Sequence, residues 1–377
     1  MSTTPTTSVI HDIGYKPYTG PRLGRRAILR ALYAHSLRSV FGLGRGGKAK
    51  IVPFFVAAVM LFPSILNVYV SSQNKALILD YSAIANRLFL LIVVFSAAVA
   101  PELVSRDLRH HTLPLYFSRP LRRGDYPLAK LLALATGILV VELLPIVVTY
   151  AGQLASASSG HQIWLDTRQA FPGVFVAVLY AAVFGSISLL IASTTGRRVI
   201  ATGAIAITFL VTTAIANVLE HGVGQTWQSH TASCVVPTLT PAQAAAADGE
   251  VFGGDGGPDA GPGSGPSGPM ISQLCPGMNG DVDNIGDITI TPDPAKPGYA
   301  SITATYQTPV YLTIAKVGGM TDPVTLVEGT RIWVFSATDG NMPNPSPLGP
   351  AYAAELAVVV LAAGGGLFLR YRKVSVS

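Results

Sequence analysis

Glu142 is the residue whose chemistry most needs a setting. It stands in Leu139-Val-Val-Glu-Leu-Leu-Pro145, with apolar neighbours on both sides. An ionised carboxylate at the centre of a bilayer costs at least ~2.5 kcal/mol, so such a group must face protein or water. Two readings fit: a position on a polar pathway or a seam between subunits, or a protonated carboxyl bonded to a neighbouring helix. Catalytic patterns are missing. No Ser/His/Asp set, paired carboxylates or His-Glu-x-x-His arrangement is placed to react, so no catalytic residue is assigned. The run Gly42-Leu-Gly-Arg-Gly-Gly-Lys-Ala49 imitates a phosphate-binding loop. That loop needs a strand before it, a helix N-terminus after it and Ser or Thr for Mg²⁺. Here Ala49 replaces the hydroxyl, and the run reads as a basic hinge. The only cysteines are Cys234 and Cys275, too few for a disulfide scaffold or a multi-cysteine metal cluster. His221 and His230 lie near Cys234, but their spacing matches no compact zinc pattern, so no metal ligand is assigned.

The elements that must position these groups are membrane spans. Hydrophobic residues make up 49% of the 377, and charged residues only 12%, about half of the ~25% usual in soluble proteins. This excludes a disordered chain, a coiled coil or a nucleic-acid binder. Six stretches suit a crossing of about 20 residues: Ile51–Val70, Ile84–Ala100, Leu131–Tyr150, Phe171–Ser193, Val199–Val218 and Ala351–Leu369. The second has Asn86 and Arg87 at one end, so a re-entrant segment is the alternative there. The first apolar run is too long for a signal-peptide core and follows fifty residues of basic character.

Charge decides the number of spans. Six crossings place 20 Lys and Arg on one side and 6 on the other, whereas five divide them 13 to 13. The cytoplasmic side carries the Lys/Arg excess, so six spans with both termini cytoplasmic are expected. The net charge of +6 is then mainly a matter of topology and anionic lipid. Segment 220–349 falls outside, with twelve acidic residues against three basic ones. A disulfide between Cys234 and Cys275 is chemically allowed there. Within it, Gly253–Pro269 is too rich in Gly and Pro to fold and reads as a disordered tether. Period-two alternation at Ile288/Ile290, Ile302/Ala304/Tyr306, Val310/Leu312/Ile314 and Ile332/Val334 predicts strands.

The expected fold is therefore an all-α membrane protein of six transmembrane helices. An interfacial amphipathic helix precedes them, and a small β-rich extracytoplasmic insert separates helices five and six. The division is 1–50, 51–219, 220–349 and 350–377. Leu29, Leu32, Tyr33, Leu37 and Val40 fall within about 140° on a helix, with His35 and Arg38 opposite and Arg30 at the margin. This predicts a helix with its apolar stripe in the acyl boundary, the alternative being packing on a partner. Gly364-Gly-Gly366 in the last span would allow close helix packing or bending. Glu355, near the outer end of that span, reads as interfacial.

The inner connection 101–130 carries the densest pattern. Glu102, Arg106, Asp107 and Arg109 alternate in sign, Leu113-Pro-Leu-Tyr-Phe117 is apolar, and Arg119, Arg122 and Arg123 follow. Plain connectors take a handful of residues, and thirty amphipathic ones suggest a docking element. The run Glu102-Leu-Val-Ser-Arg-Asp-Leu108, Thr112-Leu-Pro-Leu115, Ser118-Arg-Pro-Leu-Arg-Arg123, Tyr126, Leu128 and Lys130 resembles the loop between the second and third spans of ABC-2 type membrane subunits of ATP-binding-cassette exporters. The interfacial helix, six spans and inner termini resemble that family too. His111 departs from the glycine that many members carry, and the long outer insert departs from the family's shorter loop.

The resemblance implies a permease in a bacterial plasma membrane, coupled to a separately encoded ABC ATPase subunit and exporting a small or amphipathic solute. A second permease subunit, identical or homologous, and membrane lipid are the other implied partners. It implies coupling positions at Glu102, Arg106, Asp107, Thr112, Leu113, Pro120, Arg123, Tyr126 and Lys130, with Arg109 in the same charged run. ATP and Mg²⁺ would be used by the ATPase, and no cofactor by this chain. The rivals are a receptor or scaffold presenting the outer domain, and a membrane enzyme using Glu142.

Overall fold

The computed structural model describes residues 20, 24–44, 46–74, 81–110, 113–117, 121–157, 159–237, 285–292, 299–335 and 348–373. The helices are α1 (Arg25–Val40), α2 (Lys48–Asn74), α3 (Tyr81–Arg87), α4 (Phe89–Arg109), α5 (Leu113–Phe117), α6 (Asp125–Ser156), α7 (Gly160–Thr194) and α8 (Arg198–Asn217). Strands β1 (Gln225–Pro237), β2 (Ile285–Pro292) and β3 (Tyr299–Tyr311) follow. The described chain ends with α9 (Thr313–Gly318), α10 (Pro323–Phe335) and α11 (Gly349–Lys373). Among the described residues six helices, α2, α4, α6, α7, α8 and α11, are long and apolar enough to cross a membrane. The chain is a mostly helical, multi-pass membrane protein.

The second apolar stretch forms a helix long and apolar enough to cross a membrane. The chain breaks at Leu88 after short α3, and α4 then runs unbroken for 21 residues. The connection 101–130 is correspondingly less loop than expected, because residues 101–109 prolong α4 and 125–130 begin α6. Helices α6 and α7 have 32 and 35 residues. At 1.5 Å per residue they reach about 48 and 52 Å, well beyond a ~30 Å hydrocarbon core. Apolar content marks the stretch in lipid, while the helices continue into polar sequence on either side.

Helix α1 departs from the acyl-boundary expectation. Arg30, His35 and Arg38 are exposed as predicted, but Leu32, Ser36 and Val40 are buried against the bundle. The Tyr33 hydroxyl donates to Thr136 Oγ1 of α6 at 3.0 Å, and Arg25 Nε donates to Asp125 Oδ2 at 2.6 Å. The stripe packs on the protein's own third span. Gly42, at φ 64°, then ends α1: the Leu43 N–H donates to the Arg38 carbonyl at 2.8 Å. That six-residue closure belongs to a glycine-capped helix stop. The run 42–49 accordingly follows a helix, not the strand a phosphate loop needs.

Close approach is provided by glycines other than those expected. A Cβ at Gly137 would lie 2.4 Å from Val40 Cγ1, and one at Gly152 would lie 2.4 Å from Val68 Cγ1. Small residues on α6 thus let α1 and α2 sit against it. At Gly364 and Gly365 a Cβ would meet nothing within 4 Å, and at Gly366 only ordinary contact with Leu190.

The insert also differs from expectation. The strands form an antiparallel sheet in the order β1-β3-β2, with Cys234 opposite Ile302. A small β-rich domain is not supported, because Ile314 lies on α9 and Ile332 and Val334 on α10. Short apolar runs do not separate a strand from a buried helix. Helix α10 starts with Asp322 as its cap: Thr325 N–H donates to Asp322 Oδ2 at 3.1 Å, and Pro323 takes the first helical position. The Thr213 hydroxyl donates to Asp322 Oδ1 at 2.8 Å, tying α10 to α8. Burial pushes the Asp322 carboxyl up, and these hydrogen bonds oppose that. From Pro323 to Ile332 the helix is buried, packed mainly on α11 and α7. Gly253–Pro269 and Cys275 lie outside the described residues.

Valine at Gly137 forces Val40 away from α6, an overpacking cost of ~1–3 kcal/mol. Thermal unfolding of the purified chain should show G137V melting below the parent and G364A unchanged. Equal melting of parent and G137V would refute the close contact.

Candidate functional site

The site is built where α4 outlasts its apolar part. Asp107, near the end of that helix, meets two residues one turn apart on α6, where i and i+4 side chains share a face. Lys130 Nζ lies 2.9 Å from Asp107 Oδ2, and the Tyr126 hydroxyl donates to the same oxygen at 2.7 Å. Lys130 also sits 5.4 Å from the centre of the Tyr126 ring. That ring packs against Tyr116 of α5 at 5.4 Å and Tyr371 of α11 at 5.1 Å. The side chains of Lys130 and Asp107 are only 5% and 15% exposed, and Tyr126 is fully buried. One carboxylate therefore gathers α4, α5, α6 and α11.

Neighbouring contacts close the same end of the bundle. Glu102 Oε2 pairs with Arg198 Nη1 at 2.7 Å, joining α4 to α8. The Ser105 hydroxyl donates to the Ala192 carbonyl at 2.9 Å. Arg370 Nε donates to the Ser193 carbonyl at 2.6 Å, and Arg123 Nη1 to the Arg372 carbonyl at 2.9 Å. Each arginine therefore meets the carbonyl-rich C-terminal end of a helix, where positive charge is favoured. Asp125 works at the opposite pole, accepting Arg122 N–H at 2.9 Å in the first turn of α6. The side-chain bond with Arg25 raises that guanidinium, so its charge is held.

The coupling positions divide into two groups. Asp107, Tyr126, Lys130 and Glu102 are engaged within the chain, and Leu113 is buried in the core. Arg106, Arg109 and Arg123 are exposed, as is Arg122. Thr112 and Pro120 lie outside the described residues. A hollow of about 230 Å³ is lined by Glu102, Arg106, Asp107 and Lys130 together with His35 and His110. Sequence reading missed Tyr371, Arg198, Arg370 and the Arg25–Asp125 pair. Only Asp125 carried a signal, an acid at a helix start. The others come from distant segments brought together by helix packing.

Glu142 lies mid-way along α6 and is 1% exposed. Neither carboxylate oxygen has a hydrogen-bond partner among the described residues, nor does the Tyr180 hydroxyl of α7. A bond to a neighbouring helix, one of the two readings of this residue, is not seen among the described residues. Nearby on α10, Arg331 Nε donates to Glu328 Oε1 at 2.8 Å within the buried interior. Among the described residues, no group of three or more His, Cys, Asp or Glu could hold a metal.

A family model described as ABC-2 family transporter protein matches residues 48–244, more than half of the chain. The match covers α2 through α8 and β1. No curated protein matches the chain.

Removing one partner of a largely buried ion pair costs about 3–5 kcal/mol, because the other charge stays buried. Lys130→Met should therefore lower stability by roughly 3 kcal/mol, and Asp107→Asn with Lys130→Met should cost less than the two changes summed. Denaturant unfolding of the four-member cycle reads this. Strict additivity would mean the pair is not coupled.

Proposed function

The chain belongs to the ABC-2 family of transporter proteins, and from that premise we propose that its α4–α6 end docks a separately encoded ABC ATPase. It is a transport permease, an integral multi-pass subunit of an ABC transporter. In this reading it exports a small or amphipathic solute across a bacterial plasma membrane, with both termini cytoplasmic. The partner binds ATP and Mg²⁺ and hydrolyses the nucleotide. Two permease subunits, identical or homologous, work with two such ATPases.

The observation that carries this reading is the division of charge at the Asp107 cluster. The acids Glu102 and Asp107 are engaged inside the chain, while Arg106, Arg109, Arg122 and Arg123 are exposed. A cationic rim on an apolar, braced base suits a cleft of opposite sign on a soluble partner. Closure of two nucleotide domains would move this end as a body, because its helices share one buried carboxylate. Work is transmitted only if the contacts differ between the two states of the partner. The rival of a scaffold presenting an outer domain loses support, since α10 returns into the bundle.

Charge reversal at Arg106 should lower stimulation of the partner's ATP turnover in proteoliposomes at least tenfold, with the membrane-inserted amount unchanged. Unchanged stimulation would refute docking there. Reversal at Glu102 breaks the Arg198 pair as well, so it is compared with E102R/R198E, which restores the pair and should regain assembly.

A further inference from the structure

At the end of the bundle opposite the Asp107 cluster, an open groove of about 1060 Å³ lies between the first turns of α7, the start of α3 and the end of α10. Its size lies just above the ~300–1,000 Å³ typical of small-ligand sites. Trp164 and Phe171 of α7 and Phe335 of α10 give it aromatic walls, and Phe335 meets Phe171 edge-on at 6.1 Å. Its charged lining is of one sign. Arg168 and Arg331 line it, and among the described residues no carboxylate does.

The two cations are held differently. Arg331 is buried, with Glu328 behind it accepting from Nε at 2.8 Å, so its guanidinium is fixed in place. Arg168 is exposed and rests over the Trp164 ring, 5.8 Å from its centre. Glu328 balances Arg331, and Asp166 stands beside the groove, near enough to Tyr81 to help raise its phenol but outside the lining. The wall also holds Tyr81, 1% exposed, whose hydroxyl has no partner among the described residues. A buried donor of this kind is costly unless something accepts its hydrogen bond. Burial pushes that phenol up, so it stays a donor at any ordinary pH.

We propose that this groove binds an amphipathic anion, its carboxylate or phosphate head on Arg168, Arg331 and Tyr81 and its apolar chain along Trp164, Phe171 and Phe335. Guanidinium groups suit both head groups because their N–H donors match two oxygens at once. A tryptophan at the polar edge of a span is suited to the boundary where head and chain part. The head group could arrive on a single-chain amphiphile from solution or on a bilayer lipid.

The test uses the chain alone in neutral phosphatidylcholine nanodiscs, with W227F and W333F leaving Trp164 as the only one of the three tryptophans. Its fluorescence is followed as dibromostearic acid or dibromostearyl alcohol is added. The acid should quench saturably. R168Q should raise the half-saturating concentration at least tenfold, and so should E328Q/R331Q, which removes the buried pair together and leaves no orphaned charge. The alcohol should not saturate and should ignore these changes. In a second arm, brominated phosphatidylglycerol in the disc quenching more than brominated phosphatidylcholine, in an Arg168-dependent way, would name a bilayer lipid as the ligand. Saturable quenching by the acid alone would name a soluble amphiphile, and either supports the site. Acid and alcohol quenching alike, with no effect of the substitutions and no preference for phosphatidylglycerol, would overturn it. The ATPase takes no part, so failure here leaves the coupling proposal standing, and failure of coupling leaves this site standing.

Discussion

A single carboxylate organises the basic end of this protein. Asp107 accepts from Lys130 and Tyr126 where water is largely excluded, so loss of either contact leaves a charge or donor badly placed. Its consequences reach beyond the two helices it joins. The Tyr126 ring it orients is also the surface on which Tyr116 and Tyr371 rest. The C-terminal turn of α11 is thereby fixed, and the Arg123 and Arg370 contacts at helix C-termini close around it. Acids spent on internal bracing leave arginines to face outward, and that asymmetry gives the end its cationic rim.

The opposite end rests on a different solution to the same problem of placing charge in an apolar bundle. Helix α10 is buried although it carries Glu328 and Arg331, and the two pair with one another three residues apart through Glu328 Oε1. Asp322 caps its start while fastening it to Thr213 of α8. This helix belongs to the bundle, not to an external module. Arg331 connects the interior to the Trp164 groove, being both the partner of Glu328 and part of the groove wall.

What the sequence made legible follows from how strong each physical signal is. Crossing helices bury long apolar runs, and the Lys/Arg bias chose six spans over five; α4 agrees. The reach of α6 and α7 was hidden, since hydropathy falls off at the lipid boundary while the backbone continues helical. Helix α10 looked like strand because Ile332 and Val334 alternate over too short a window to define a period. The stripe on α1 was correctly located, but its partner was not: lipid and the face of α6 are equally apolar, and only Gly137 and Thr136 distinguish them. At the site, Asp107, Tyr126 and Lys130 were picked out by family resemblance as positions for docking. In the structure they contact one another. Residue type and spacing could not tell an inward charge from an outward one.

The central claim is that the arginine-rimmed end faces the cell interior and the Trp164 groove faces away from it. Single thiols at Arg122 and Leu165, both exposed positions, test it in a background with Cys234 and Cys275 changed to serine. A maleimide unable to cross membranes should label the thiol at 165 in intact cells and the thiol at 122 only after the membrane is opened. The reverse pattern would contradict the account.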